Sequence, residues 1–248
     1  MTLDFGAEPH FVVLGANECG KSNQLDLIVR RVSSGFSPEQ ARIVVLDFRR
    51  SLLDSMPSSH LLGYAASSNP AEKLMADVSA ALHKRLPGPD VRPEELRSRS
   101  WWTGPDLYVV VDDYKLVATP SGNPLVAIAD LIPQAADVGL HVVLGRGFGG
   151  AGRAMYDPVI QRIRDMGNPG LIMSGSRDEG VLWSGVRGEP MPAGRGPVHL
   201  ATARSAARPD GPGRAGPGRI AVLAEAGRIA LPTSRGASKP AEASFRGF

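Results

Sequence analysis

Gly15, four spacer residues, Gly20, Lys21 and Ser22 form a G-x-x-x-x-G-K-[ST] string, the spacing of a P-loop or Walker A motif. Such a loop must curl so that successive backbone N–H groups converge on a phosphate, and glycine permits that curl without a Cβ clash. The residues expected to cradle nucleotide phosphates are therefore Gly15, Asn17, Glu18, Cys19, Gly20, Lys21, Ser22 and Asn23. Lys21 would counter the charge of the β- and γ-phosphates as a catalytic group, and the Ser22 hydroxyl would hold Mg²⁺. The bland alternative is a Gly-rich turn joining a strand to a helix.

A second constellation narrows the choice. Residues 107–111 are apolar and end in Asp112 and Asp113, the Walker B pattern. In that pattern the first carboxylate, Asp112, belongs to the Mg²⁺ shell, and the second, Asp113, polarises the attacking water. Asp stands where Glu is usual, so the carboxylate falls about 1–1.5 Å short of the water, and misplacement on that scale costs about 100-fold in rate. Slow or absent hydrolysis is the expectation.

These groups need strands and helices to place them. Residues 11–14 read as a short buried strand, and residues 21–32 as an amphipathic helix with Leu25, Ile28, Val29 and Val32 on one side, its N-terminus beneath the anion. Largely apolar segments at 41–48, 107–111 and 140–144 fit parallel strands covered on both faces. Residues 61–68, 171–176 and a stretch after 192 supply further strand signals, and helices are expected over 71–86, 94–99, 124–136 and 156–166. Asp47, Arg49 and Arg50 follow the second strand, where open α/β sheets bind ligands, or they are a solvated strand end. Arg146 ends the fourth strand and reads either as a phosphate contact in the sensor position or as a surface arginine. Arg153, Arg162 and Arg164 are arginine-finger candidates that the sequence does not separate. His83 reads as a helix-end residue, and the Trp101–Trp102 pair as packing under a loop rather than a binding ledge.

The 248 residues carry a net charge of +3, but residues 201–248 alone carry +5, leaving −2 on residues 1–200. By composition that part is not a basic nucleic-acid surface. The only cysteine, Cys19, excludes an internal disulfide and fits a reducing, cytoplasmic compartment. No apolar run reaches the ~18 residues of a membrane span, and the N-terminus lacks a signal-peptide profile. Residues 201–248 are rich in Pro, Gly and Arg and are expected to be mostly disordered, with a short hairpin or helix over 219–231.

Taken in order, GANECGKS (15–22), LDFRRSLL (46–53), SRSWWTGPDLYVVVDDYKLVA (98–118), GNPL, DVGLHVVLGR, RAMYDPV, MSGSRDEGVL (173–182) and PAGRGPVHL closely resemble the C-terminal ATPase domains of the EccC family, which are FtsK/SpoIIIE-like motors of type VII (ESX) secretion systems. The resemblance spans residues 3–200. It implies an α/β, RecA-like P-loop NTPase of the ASCE class, with a mostly parallel central sheet and helices on both faces. It also implies one of three tandem ATPase modules that binds ATP and Mg²⁺ and recognises the C-terminal export signal of a WXG100-type substrate. Expected partners are the other modules of the motor, a membrane complex reached through another part or chain, and a hexameric full assembly. The cytoplasmic face of the inner membrane is the expected place. After residue 200 the family pattern is lost. A DNA-translocating FtsK-like ATPase and an inert-nucleotide peptide adaptor are the competing readings.

Overall fold

The computed structural model describes residues 2–199, 219–221, 224–225 and 228–229. In chain order the elements are β1 (Thr2–Asp4), β2 (His10–Gly15), α1 (Lys21–Gly35), β3 (Ala41–Asp47), β4 (Leu61–Ala65), α2 (Ser68–His83), α3 (Pro93–Ser98), β5 (Asp106–Asp112), α4 (Tyr114–Val117), α5 (Ala135–Val138), β6 (Leu140–Gly147), α6 (Ala151–Ala154), α7 (Pro158–Asp165), β7 (Gly170–Ile172), β8 (Val198–His199), β9 (Arg219–Ala221), β10 (Ala224–Glu225) and β11 (Arg228–Ile229). Seven strands form the main sheet in the order β4-β3-β5-β6-β2-β7-β8. All neighbours are parallel except β8, which runs antiparallel to β7. β6 therefore lies between the P-loop strand β2 and the Asp112 strand β5, the arrangement expected of the ASCE class.

Side chains alternate across a strand, so the apolar runs divide into two cores. Phe11, Val13, Ile43, Val45, Tyr108, Val110 and Val143 meet Leu25, Ile28, Val29 and Val32 of α1 on one face. Val12, Leu14, Val44, Leu46, Val109, Val111, Val142 and Leu144 face α2, α5 and α7 on the other. The sheet is thus clamped from both sides, which fixes the strand ends that carry the chemistry.

The helix expected over 124–136 is instead two 3₁₀ turns, Pro124–Ile128 and Ile132–Gln134, followed by the short α5. Pro133 is the physical reason: it lacks an N–H and its ring clashes with the carbonyl four residues back. Trp101 and Trp102 pack as expected, their indole N–H groups donating to Arg85 O (2.6 Å) and Asp137 O (2.8 Å). His83 Nε2 lies 3.0 Å from Asp130 Oδ2 at the end of α2. Within 219–231, β9 pairs antiparallel with β1, and β10 and β11 form a small antiparallel pair. The disorder expected for the rest of 201–248 lies outside the described residues.

Buried at the start of β2, His10 accepts from Val142 N through Nδ1 (3.0 Å) and directs Nε2–H at Ile132 O (3.4 Å). Burial pushes this imidazole down to about 3 from 6.5, against a small upward pull from the Ile132 carbonyl. On acidification the unfolded chain binds a proton that folded His10 refuses, so stability falls as pH drops from about 6.5 toward about 3. Between about pH 7 and pH 5 the loss is about 2 kcal/mol, a fall in melting temperature of about 4–8 °C. Thermal melts of His10→Gln, which keeps a donor and an acceptor, are expected to show a shallower pH slope. An unchanged slope would assign the acid sensitivity to other groups.

Candidate nucleotide site

The P-loop curls where the sequence allows it. Glu18 (φ 59°) and Gly20 (φ 101°) take left-handed conformations, and Gly20 caps α1, whose first residues are Lys21 and Ser22. Gly15 ends β2, and a side chain there would run into Cys19 Sγ and the Met173 Cβ. Asn17, Glu18, Gly20, Lys21, Ser22 and Asn23 line a cavity of about 400 Å³ together with Arg49, Ser51, Asp112, Asp113 and Gly147. Cys19 turns away from it: the side chain is buried 3.9 Å from Met173 Sδ, and burial pushes its thiol up. Of the residues expected around the phosphates, Cys19 thus keeps its side chain out of the cavity and in the core.

Lys21 Nζ folds back on its own loop and donates to Ala16 O at 2.6 Å. Ser22 Oγ donates to Asp112 Oδ2 at 2.8 Å. The two expected Mg²⁺ ligands, 90 residues apart in sequence, therefore meet at the ends of α1 and β5. Asp112 is 2% exposed. Burial pushes its carboxyl up, and neighbouring Asp47 adds to this, against hydrogen bonds from Ser22 and Ser51. Asp47 is paired in register with Asp112 on β3 and is fully buried. Its Oδ2 accepts from Leu52 N (2.8 Å) and the Tyr64 hydroxyl (2.9 Å), while Oδ1 has no hydrogen-bond partner among the described residues. Two carboxylates side by side, one partly orphaned and the other pushed toward protonation, suit a divalent cation, so this donor set fits Mg²⁺.

Asp113 is held differently. It sits at φ 48°, immediately before α4, and Arg49 Nε contacts its Oδ2 at 2.6 Å. The strand-end arginine left open by the sequence thus lies within the site. Ser51 and Gly147 were missed, because no motif marks them; only the register of β3, β5 and β6 brings them there.

The remaining arginines lie elsewhere. Arg146 and Arg153 line a separate cavity, Arg162 donates to Pro158 O (3.2 Å) and Arg164 lies 3.8 Å from Asp165.

No family model matches the chain. Curated relatives do match it, two of them as follows. The ESX secretion system protein EccC of Thermomonospora curvata is 54% identical over 194 residues, covering 78% of this chain and 15% of that protein. The ESX-4 secretion system protein EccC4 of Mycobacterium tuberculosis is 45% identical over 196 residues, covering 79% and 16%. Among solved structures, Thermomonospora curvata EccC (ATPases 2 and 3) in complex with a signal sequence peptide superposes with a TM-score of 0.77 at 53% identity, covering 80% of this chain and 36% of that one. The chain thus spans about one sixth of the length of the curated relatives it matches. With these identities over the whole of the P-loop fold, the chain belongs to the EccC family of type VII secretion ATPases, as an FtsK/SpoIIIE-like ATPase domain.

Proposed function

We propose that this domain is an ATP-binding, weakly or non-hydrolysing terminal module of a type VII secretion motor, and that it recognises the C-terminal export signal of a WXG100-type substrate. The observation that carries the nucleotide half is the Ser22–Asp112 contact at the mouth of the P-loop. Nucleotide binding would draw Lys21 from Ala16 O onto phosphate oxygens, exchanging a neutral acceptor for a charged one. Ser22 and Asp112 would hold Mg²⁺. When bound, the ion neutralises phosphate charge and fixes the γ-phosphate for in-line attack. Asp113 would orient the water, but Arg49 neutralises it and its stem is short, which supports slow turnover.

The signal-peptide complex of the Thermomonospora curvata protein supports the recognition half. Among the described residues no helix is long and apolar enough to cross a membrane, which fits a module on the cytoplasmic face tied to the membrane complex by other parts. The neighbouring modules and the hexamer belong to this proposal. The −2 charge of residues 1–200 weighs against DNA translocation. The Arg49–Asp113 pair favours, as a second reading, an adaptor whose nucleotide is inert.

The test is isothermal titration with Mg-ATP followed by steady-state phosphate release on the same sample. Tight binding is expected to raise the melting temperature by about 5–11 °C at a hundredfold excess over Kd. Turnover is expected well below the ~1–100 s⁻¹ of ordinary phosphoryl-transfer enzymes. Turnover within that range would sink the weak-hydrolysis reading, and absent binding would sink the nucleotide site.

A further inference from the structure

The end of β6 contributes to two cavities: Gly147 lines the nucleotide cavity, and Arg146 lines a second of about 530 Å³. We propose that this second cavity is a carboxylate site that receives an acidic peptide segment of a protein partner. Arg146 is 7% exposed, and its guanidinium donates to Gly147 O (2.7 Å) and Gly150 O (3.0 Å). No carboxylate among the described residues comes within 4.0 Å of its nitrogens. The carboxylates of Glu179, Asp113 and Asp157 pull its pKa up, but burial outweighs them and holds the guanidinium below its usual range, a cost that an incoming carboxylate in contact with it would reduce. Lys115 and Arg153 line the same cavity, are exposed, and form no ion pair among the described residues.

The acidic lining residue does not supply the missing partner. Asp157 Oδ1 accepts from the Tyr114 hydroxyl (2.7 Å), Val159 N (2.9 Å) and Ile160 N (3.2 Å), while Oδ2 faces Asn123 Nδ2 (3.5 Å). The lining itself thus holds three cations and one carboxylate, whose hydrogen bonds go elsewhere, with Glu179 and Asp113 outside it.

A carboxylate suits the cavity better than a phosphate. Phosphate sites draw on free backbone N–H groups, and here Glu179 already takes Gly150 N (2.9 Å) and Gly152 N (3.3 Å). What remains is a guanidinium fork and two exposed cations over Ala118, Ala154 and Tyr114. That lining matches an acidic side chain with its aliphatic stem, and the volume exceeds what one phosphate fills.

The test uses the nucleotide-free full chain and two peptides carrying a neutral dye, acetyl-Ala-Leu-Glu-Ala-Leu-Glu-amide and its Gln counterpart, read by fluorescence anisotropy at fixed ionic strength. The Glu peptide is expected to bind at least about tenfold tighter than the Gln peptide. Lys115→Ala with Arg153→Ala, both exposed, is expected to weaken it about tenfold while the melting temperature holds. Equal binding of the two peptides, no binding of either, or unchanged affinity in the double variant overturns the proposal. Displacement of the Glu peptide by inorganic phosphate beyond a chloride control would also overturn it, by making the site a phosphate site.

Discussion

Asp112→Asn is expected to raise the melting temperature of the nucleotide-free domain by about 2–4 °C, equivalent to about 1 kcal/mol, while abolishing the extra stabilisation that Mg²⁺ gives to the ATP complex. The first effect follows from the carboxyl's environment. Burial, helped by Asp47, raises the folded-state pKa of Asp112 above its unfolded value. A raised carboxyl contributes its stability in the protonated form, fully at low pH, and loses it as pH rises through the folded pKa. At neutral pH the ionised group is a cost that asparagine lacks. Asparagine still keeps the geometry, because its amide can take over the contacts to Ser22 Oγ and Asp113 N (3.0 Å). The stability gap between variant and wild type should therefore shrink on acidification. The second effect follows from Mg²⁺ chemistry, since a neutral amide is a poor substitute for a carboxylate ligand. Melts with and without Mg²⁺, across pH, read both effects at once. A variant that is less stable at neutral pH and keeps its Mg²⁺ response would remove Asp112 from the metal site.

The parts of this site that were legible in the sequence are those written in local pattern. The P-loop spacing, the apolar run ending in Asp112 and Asp113, and the 3.6-residue period of α1 each sit within one short segment. Each needs only steric and burial arguments to be read. The extra strand β6 was legible for the same reason, as a largely apolar run interrupted by His141 before Arg146. What stayed open or escaped depends on register between distant strands. Asp47 lies beside Asp112 because β3 and β5 pair Asp47 with Asp112. Only that pairing carries Arg49, two residues on, to the Asp113 carboxylate. His10 gave no signal because an isolated histidine at a strand start looks the same whether buried or wet. Pro133 was visible, and its effect on the 124–136 segment should have outweighed the helical spacing of its apolar residues.

Relieving the Arg49–Asp113 pair and lengthening the carboxylate together are expected to raise phosphate release about 10–100-fold, and neither change alone should do so. Asp113→Glu adds the missing methylene but leaves Arg49, 56% exposed and free to follow, against the new carboxylate. Arg49→Ala frees Asp113 but leaves it short of the water. The two substitutions share one contact, so their effects on rate should be non-additive, and a double-mutant cycle measures the coupling directly. A second force acts on residue 113. Its φ of 48° is one that Asp tolerates better than Glu, since a short polar side chain can bond the local backbone. Asp113→Glu should therefore cost about 1 kcal/mol of stability whatever it does to the rate. An aspartate at 113 also suits the turn before α4, so its presence need not record selection against turnover. The cycle separates these accounts. If Arg49→Ala chiefly lowers ATP affinity and the double variant turns over no faster, Arg49 is a phosphate ligand rather than a clamp on Asp113. If the double variant gains rate while each single stays slow, the clamp and the short side chain jointly hold this site in its nucleotide-retaining state.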